Sequence, residues 1–215
     1  MRKLIVCAGA FAASLAPARA EGNVSDVERA WTGELPSAFR SGAAVPALET
    51  TGPRAQLVAG DWSRFARVFA RLERGERVRL AVVGGSITQG AGASSRANQW
   101  ASRFAEGWRR AFPKATVDLV NAGIGATGSD IGAFRLARDV LAKAPDVVVV
   151  EFSVNDAPGE ARAASYEGVL RQLLKDPRGI AVLALGMVGQ TGNSTQAWHG
   201  KVAAHYEVPY VSYRD

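Results

Sequence analysis

The residues of this chain best suited to chemistry lie in three turns rich in small residues. Ser86 stands in "GGSITQGAGASS", directly after an aliphatic run and two glycines. A serine there can attack an ester carbonyl if a base takes its proton and donors meet the developing oxyanion. Gly85 lets the backbone turn sharply without a Cβ clash. Taken alone, the stretch reads equally well as a polar turn, since serine is a common turn former. Asn155, in "SVNDAPGEA", follows an almost uninterrupted β-branched run. Its amide supplies an N–H without a charge to desolvate, and removing such a donor typically costs ~3 kcal/mol of transition-state stabilisation. The alternative is an Asn155-Asp156 turn that caps a helix. The remaining turn, "NAGIGATGSD", offers backbone N–H groups. It also fits G-x-G-x-x-G at Gly123, Gly125 and Gly128, with Glu151 ending the next strand 23 residues later. A dinucleotide-binding domain using Gly123 to Gly128 is therefore an alternative.

These turns need a scaffold that brings them together. Trp62, Phe65, Phe69 and Leu72 mark one face of a helix, and Trp100, Phe104, Trp108 and Phe112 a second, stopped at Pro113. Further helices are expected over Ser129 to about Lys143, around Tyr166 to Leu174, and from about Ser194 to Tyr206. Strands are expected at Arg77–Gly84, Thr116–Asn121, Asp146–Phe152, "GIAVLALG" and "VPYVSY". "DVVVVEF" is apolar enough to be covered on both faces, as in the middle of a parallel sheet. Strand and helix in alternation give an α/β class: a three-layer α/β/α domain with a five-stranded parallel sheet, flavodoxin-like, order 2-1-3-4-5. In such sheets ligands bind beyond the carboxyl ends of the strands, which is where all three turns fall.

Met1 to Ala20 has two early cations, an apolar stretch and Ala18-Arg19-Ala20, the layout of a secretory signal peptide. Residues 21–60, rich in Ala, Gly, Pro and Ser, read as an arm or linker, and 61–215 as the folded domain. Without its leader the chain holds 23 basic and 20 acidic residues, a charge of +3, and no basic run interleaved with aromatics. That argues against nucleic-acid binding. The single cysteine, Cys7, would leave with the leader, so disulfide and thiolate chemistry are not expected. No later segment is apolar enough for membrane insertion. The expectation is an exported protein, periplasmic or extracellular; nothing in the sequence speaks to oligomeric state.

"GGSIT", "NAGIGATGS" and "EFSVND", in this order on successive strand ends, resemble the SGNH hydrolases, also called GDSL esterases, over roughly Val78 to Asp215. The resemblance implies that Ser86 is the nucleophile and that its own N–H, the Asn155 side chain and a backbone N–H of the second loop form the oxyanion hole. The family's glycine there falls on Ala126, beside Gly125, and an alanine keeps the donor if its φ is negative. Gly84-Gly85-Ser86 replaces the family's Gly-Asp-Ser. Gly85, Thr88 and Asp156 are expected to line the substrate. By the same resemblance no metal or organic cofactor is implied, and the substrate is a small ester or an acetylated carbohydrate.

The family's Asp-x-x-His, expected after the fifth strand, is not found in "VPYVSYRD". His199 and His205 fall on the preceding helix, where packing or surface roles are expected, with His199 the better outsider as base. Two readings follow: a C-terminally incomplete esterase whose C-terminal helix is missing, or a catalytically silent carbohydrate-binding module. The first is preferred because the last strand would otherwise leave a sheet edge and one face uncovered. Either way these 215 residues are expected to hydrolyse acetyl esters poorly or not at all.

Overall fold

The computed structural model describes residues 55–213. The expected signal peptide and most of the expected arm lie outside them. Among the described residues there are six strands: β1 (Gln56–Val58), β2 (Arg77–Gly84), β3 (Thr116–Gly123), β4 (Val147–Glu151), β5 (Ala181–Gly186) and β6 (Tyr210–Ser212). The helices are α1 (Ser63–Glu73), α2 (Ser86–Gln89), α3 (Trp100–Ala111), α4 (Ser129–Asp139), α5 (Glu160–Leu174) and α6 (Gln196–His205).

The sheet order is β1-β6-β5-β4-β2-β3. Its five long-range pairings include four parallel ones, and β2 to β6 reproduce the order 2-1-3-4-5 expected of a doubly wound domain. The strand count needs correction. β1 adds a sixth strand, antiparallel to β6, from residues assigned by sequence to the arm. It pairs the edge of β6 that was expected to be bare. Two further differences are local. The helix from Ser129 ends at Asp139 and resumes as a separate 3-10 turn at Leu141–Lys143, and β3 runs on to Gly123.

Alternation along the strands divides the core in two. Leu80, Val82, Val147 and Val149 face α1 and α3, packing on Phe69, Phe104 and Trp108. Ala81, Val83, Val148 and Val150 face the opposite layer, where Leu136, Tyr166, Leu170 and Ala203 come from α4, α5 and α6. Because β4 is buried on both faces, it fixes the height at which Glu151 and the turn after it emerge. Arg135 of α4, itself buried, reinforces the same end of the sheet. Its Nη1 donates to the Ala122 carbonyl at 2.6 Å and its Nη2 to the Gly84 carbonyl at 3.1 Å.

Candidate active site

Ser86 opens α2, a single helical turn that the sequence periodicity did not reveal. The carbonyls of Gly85 and Ser86 accept from Gln89 and Gly90 at 2.9 and 3.0 Å, which fixes the turn. As in any first helical turn, the Ser86 N–H points away from the helix and makes no intramolecular hydrogen bond among the described residues.

Asn155 reaches the same spot from the turn after β4, where its N–H and that of Asp156 donate to the Phe152 carbonyl at 3.0 and 2.9 Å. Its amide packs directly on Gly85. A Cβ built on Gly85 would lie 2.0 Å from Asn155 Oδ1, so glycine is required here by contact, its φ of −87° making no such demand. Asn155 Oδ1 is buried and has no hydrogen-bond partner.

The loop after β3 completes the ring. Ile124 N–H donates to the Gly84 carbonyl at 3.1 Å, and Asn121 Nδ2 donates to the Thr88 carbonyl at 2.8 Å. Gly123 lies so close to α2 that an added Cβ would sit 2.2 Å from the Gln89 nitrogen. A Cβ on Gly125 would lie 3.9 Å from the Ser86 Cβ, so this loop borders the serine. The Gly125 N–H is taken by Gln89 Oε1 at 2.9 Å, whereas the Ala126 N–H has no intramolecular partner among the described residues. The φ of Ala126 is +58°, not negative as expected, in the left-handed region that favours glycine; the alanine adopts it at a cost and its N–H stays unengaged all the same.

Thr88 and Asp156 are not substrate contacts, which corrects the expectation from sequence. Thr88 is fully buried and its hydroxyl donates inward to Glu151 Oε2 at 3.0 Å. Asp156 is 5% exposed, and its Oδ1 accepts from the N–H of Ser129 at 2.8 Å, capping α4. Its Oδ2 meets His199 Nε2 at 2.9 Å. His199 is wholly buried and stacks on Tyr166 with ring centroids 3.8 Å apart, so it packs, as expected, and does not serve Ser86. His205 lies edge-on against Tyr206. Among the described residues no histidine is hydrogen-bonded to Ser86.

Glu151, the acid of the dinucleotide alternative, is also spoken for. It is fully buried, and its Oε1 accepts from the N–H and hydroxyl of Ser153 at 3.1 and 3.2 Å. Burial pushes its pKa up from 4.5 to about 7, against the pull of the Thr88 and Ser153 hydrogen bonds; the Asp156 charge adds a smaller upward push. No ribose can reach it, and that alternative is set aside. Glu151, Asn121 and Gln89 were not assigned to this site from sequence. The readable signal for Glu151 was an acid ending a strand otherwise buried on both faces, which must find partners inside. An apolar cavity of about 250 Å³, lined by Ile87, Trp100, Phe104, Met187, Val188 and Tyr213, opens beside the serine turn.

Comparison with known proteins decides the lineage. A family model described as GDSL-like lipase/acylhydrolase matches residues 82–215, well over half of the sequence. The chain belongs to the GDSL-like lipase/acylhydrolase family. Among solved structures it is similar to a two-domain esterase active on acetylated mannans, also co-crystallised with mannopentaose, at 37% identity and a TM-score of 0.74. That match covers 75% of this chain and 45% of the other, so the chain spans less than half the length of that esterase. AlinE4, an SGNH-hydrolase family esterase, shares the fold at 19% identity and a TM-score of 0.53, over 63% of this chain and 75% of its own. No match was found among curated proteins. Among the described residues no helix is long and apolar enough to cross a membrane.

Proposed function

We propose that this chain carries the nucleophile of an exported esterase that removes acetyl groups from carbohydrate. The observation that carries the reading is the contact of Asn155 on Gly85, which sets an uncharged amide beside the free N–H of Ser86. In the reaction, Ser86 Oγ attacks the acetyl carbonyl carbon and gives its proton to a base. The oxyanion then receives the Ser86 N–H, the Asn155 Nδ2 group and a donor from Gly125-Ala126. Of these last two, Ala126 is the better donor, because Gln89 occupies the Gly125 N–H. The sugar hydroxyl leaves with the proton, and water cleaves the acyl-enzyme to release acetate.

The carbohydrate assignment is supported by the 37%-identical neighbour that acts on acetylated mannans. The apolar cavity beside Ile87 suits the face of a sugar ring. Both histidines of the chain sit away from the serine's hydrogen bonds, so the 215-residue chain alone is expected to turn over esters slowly or not at all. The test is fluorophosphonate labelling, with retention on and acetate release from acetylated mannan, for the chain and Ser86→Ala. Labelling at Ser86, or slow acetate release lost in Ser86→Ala, is expected. Release that survives Ser86→Ala overturns the nucleophile assignment, and absence of labelling, release and retention together overturns the reading. Export is checked by N-terminal sequencing of the secreted protein, which should begin after Ala20.

A further inference from the structure

The Glu151 carboxyl touches neither the serine nor its donors, yet it lies beneath the place where they meet. One oxygen receives the hydroxyl of Thr88, two residues after Ser86 on the same helical turn. The other receives the N–H of Ser153, two residues before Asn155, and shares that residue's hydroxyl proton with the Met187 carbonyl. The Ser153 hydroxyl oxygen in turn accepts from the Met187 N–H at 2.7 Å, so the loop after β5 joins the same node. Thr88 is wedged against the end of β2, where a Cβ on Gly84 would come within 2.3 Å of its hydroxyl oxygen. The buried Glu151 side chain thus joins the turns after β2 and β4 just beyond their last ladder pair, Gly84 with Glu151, and Ser153 links them to the loop after β5.

We propose that Glu151 is a positioning residue: through Thr88 and Ser153 it holds the turn of Ser86 in register with the turn of Asn155. The inference rests on the proposed role of Ser86 for its catalytic meaning, but the alignment itself is a property of the fold. A neutral carboxyl is the form best suited to this place, because burial opposes the charge and the neighbouring Asp156 opposes it further. The other ionisable groups bearing on the node are Tyr166 of α5, kept protonated by burial first and then by the neighbouring Tyr210, Glu151 and Asp156, and His199 of α6, paired with Asp156. Arg135 of α4 holds the Gly84 carbonyl across the β2–β4 ladder from Glu151. Glutamine keeps the shape: its Oε1 accepts from the Ser153 N–H and its Nε2 donates to the Thr88 hydroxyl oxygen once that hydroxyl turns to accept, so the register should be preserved, whereas alanine removes the node.

The test compares the wild-type chain with Glu151→Gln, Glu151→Ala and Thr88→Val by amide hydrogen exchange, corrected for intrinsic rates, from about pH 5.5 to 8.5. Expected for Glu151→Ala is exchange at least about tenfold faster in residues 86–90 and 153–156 together. Glu151→Gln should show protection in both turns like that of wild type at low pH, without the loss of protection expected of wild type as pH rises through about 7. Thr88→Val should loosen both turns with no further loss when combined with Glu151→Ala, as linked residues do. Loosening confined to residues 151–153, additive effects in the double variant, or an unchanged pH profile in Glu151→Gln would overturn the proposal. In parallel, fluorophosphonate labelling of Ser86 should slow at least about tenfold in Glu151→Ala and recover in Glu151→Gln. If wild type shows neither labelling nor Ser86-dependent acetate release, the role of Ser86 fails, while the exchange data still decide the role of Glu151.

Discussion

Replacing Glu151 by glutamine should make this protein more stable in alkali. In the folded chain its pKa is raised from 4.5 to about 7, chiefly because the carboxyl has lost its water. At about 1.4 kcal/mol per tenfold change in proton affinity, that difference amounts to about 3 kcal/mol. The folded state binds the proton more tightly than the unfolded chain. The associated stability is therefore fully present below pH 4.5 and is lost as pH rises through about 7. Glutamine is neutral throughout, so wild type and Glu151→Gln should match closely near pH 4.5 and diverge above it. By about pH 8.5 the variant should lead by up to ~3 kcal/mol, read from urea denaturation at fixed ionic strength. Parallel curves for the two proteins, or wild-type stability gaining on the variant across that window, would refute the reasoning.

His199→Ala should destabilise by about 3 kcal/mol, because it leaves Asp156 Oδ2 unpaired in the interior and removes the ring stacked on Tyr166. Per folded molecule, the reactivity of Ser86 should be unchanged; selective loss would make His199 the base after all. Gly85→Ala drives a Cβ into Asn155. It should displace that amide and lower Ser86 labelling by roughly a hundredfold, with full labelling as the contrary outcome. Ala126→Gly removes the penalty of φ +58°. Offset by the greater backbone entropy of glycine, it should raise stability by up to about 1 kcal/mol in thermal denaturation, and a fall would show that the loop is not strained. Phe134 is 90% exposed on α4, so Phe134→Ser should leave stability within about 0.5 kcal/mol.

The sheet was legible because its strands carry the pattern that burial demands. Val147 to Val150 admits little else, and the aromatic spacing of α1 and α3 leaves a single face to bury. β1 escaped because three residues give no period, and its place is decided by pairing with β6. α2 escaped for the same reason: one turn of "SITQ" has no amphipathic face, and its geometry is imposed by Gly84, Gly123 and the Asn121 side chain. Ser86 and Asn155 were named from the resemblance carried by the three turns in order, and the structure sets their turns side by side at the Gly85 contact. Thr88 and Asp156 could not be sorted the same way. Strand-end position says that a residue is near the ligand crevice, but whether it faces the crevice or the core depends on the rotation of a short turn.

Three locally unfavourable choices meet around that turn. Glu151 is a carboxyl that prefers to stay protonated, Ala126 is a non-glycine in the left-handed region, and Asn155 Oδ1 is a buried acceptor left without a donor. Each opposes folding by an amount of order 1 kcal/mol or more. All three lie at the strand ends and loops that border Ser86, on a sheet whose strand ends are otherwise tied down by Arg135 and by the β2 ladders. A scaffold that tolerates such terms at one end does so because the core beneath holds the loops in place whether or not they relax. The arrangement has a consequence for any stabilised version of this protein. Substitutions under the sheet, on α1 or α3, can raise stability and leave the serine alone. Substitutions that relieve Glu151 or Asn155 act on the groups that aim it, so there stability and Ser86 reactivity should move independently or in opposite directions.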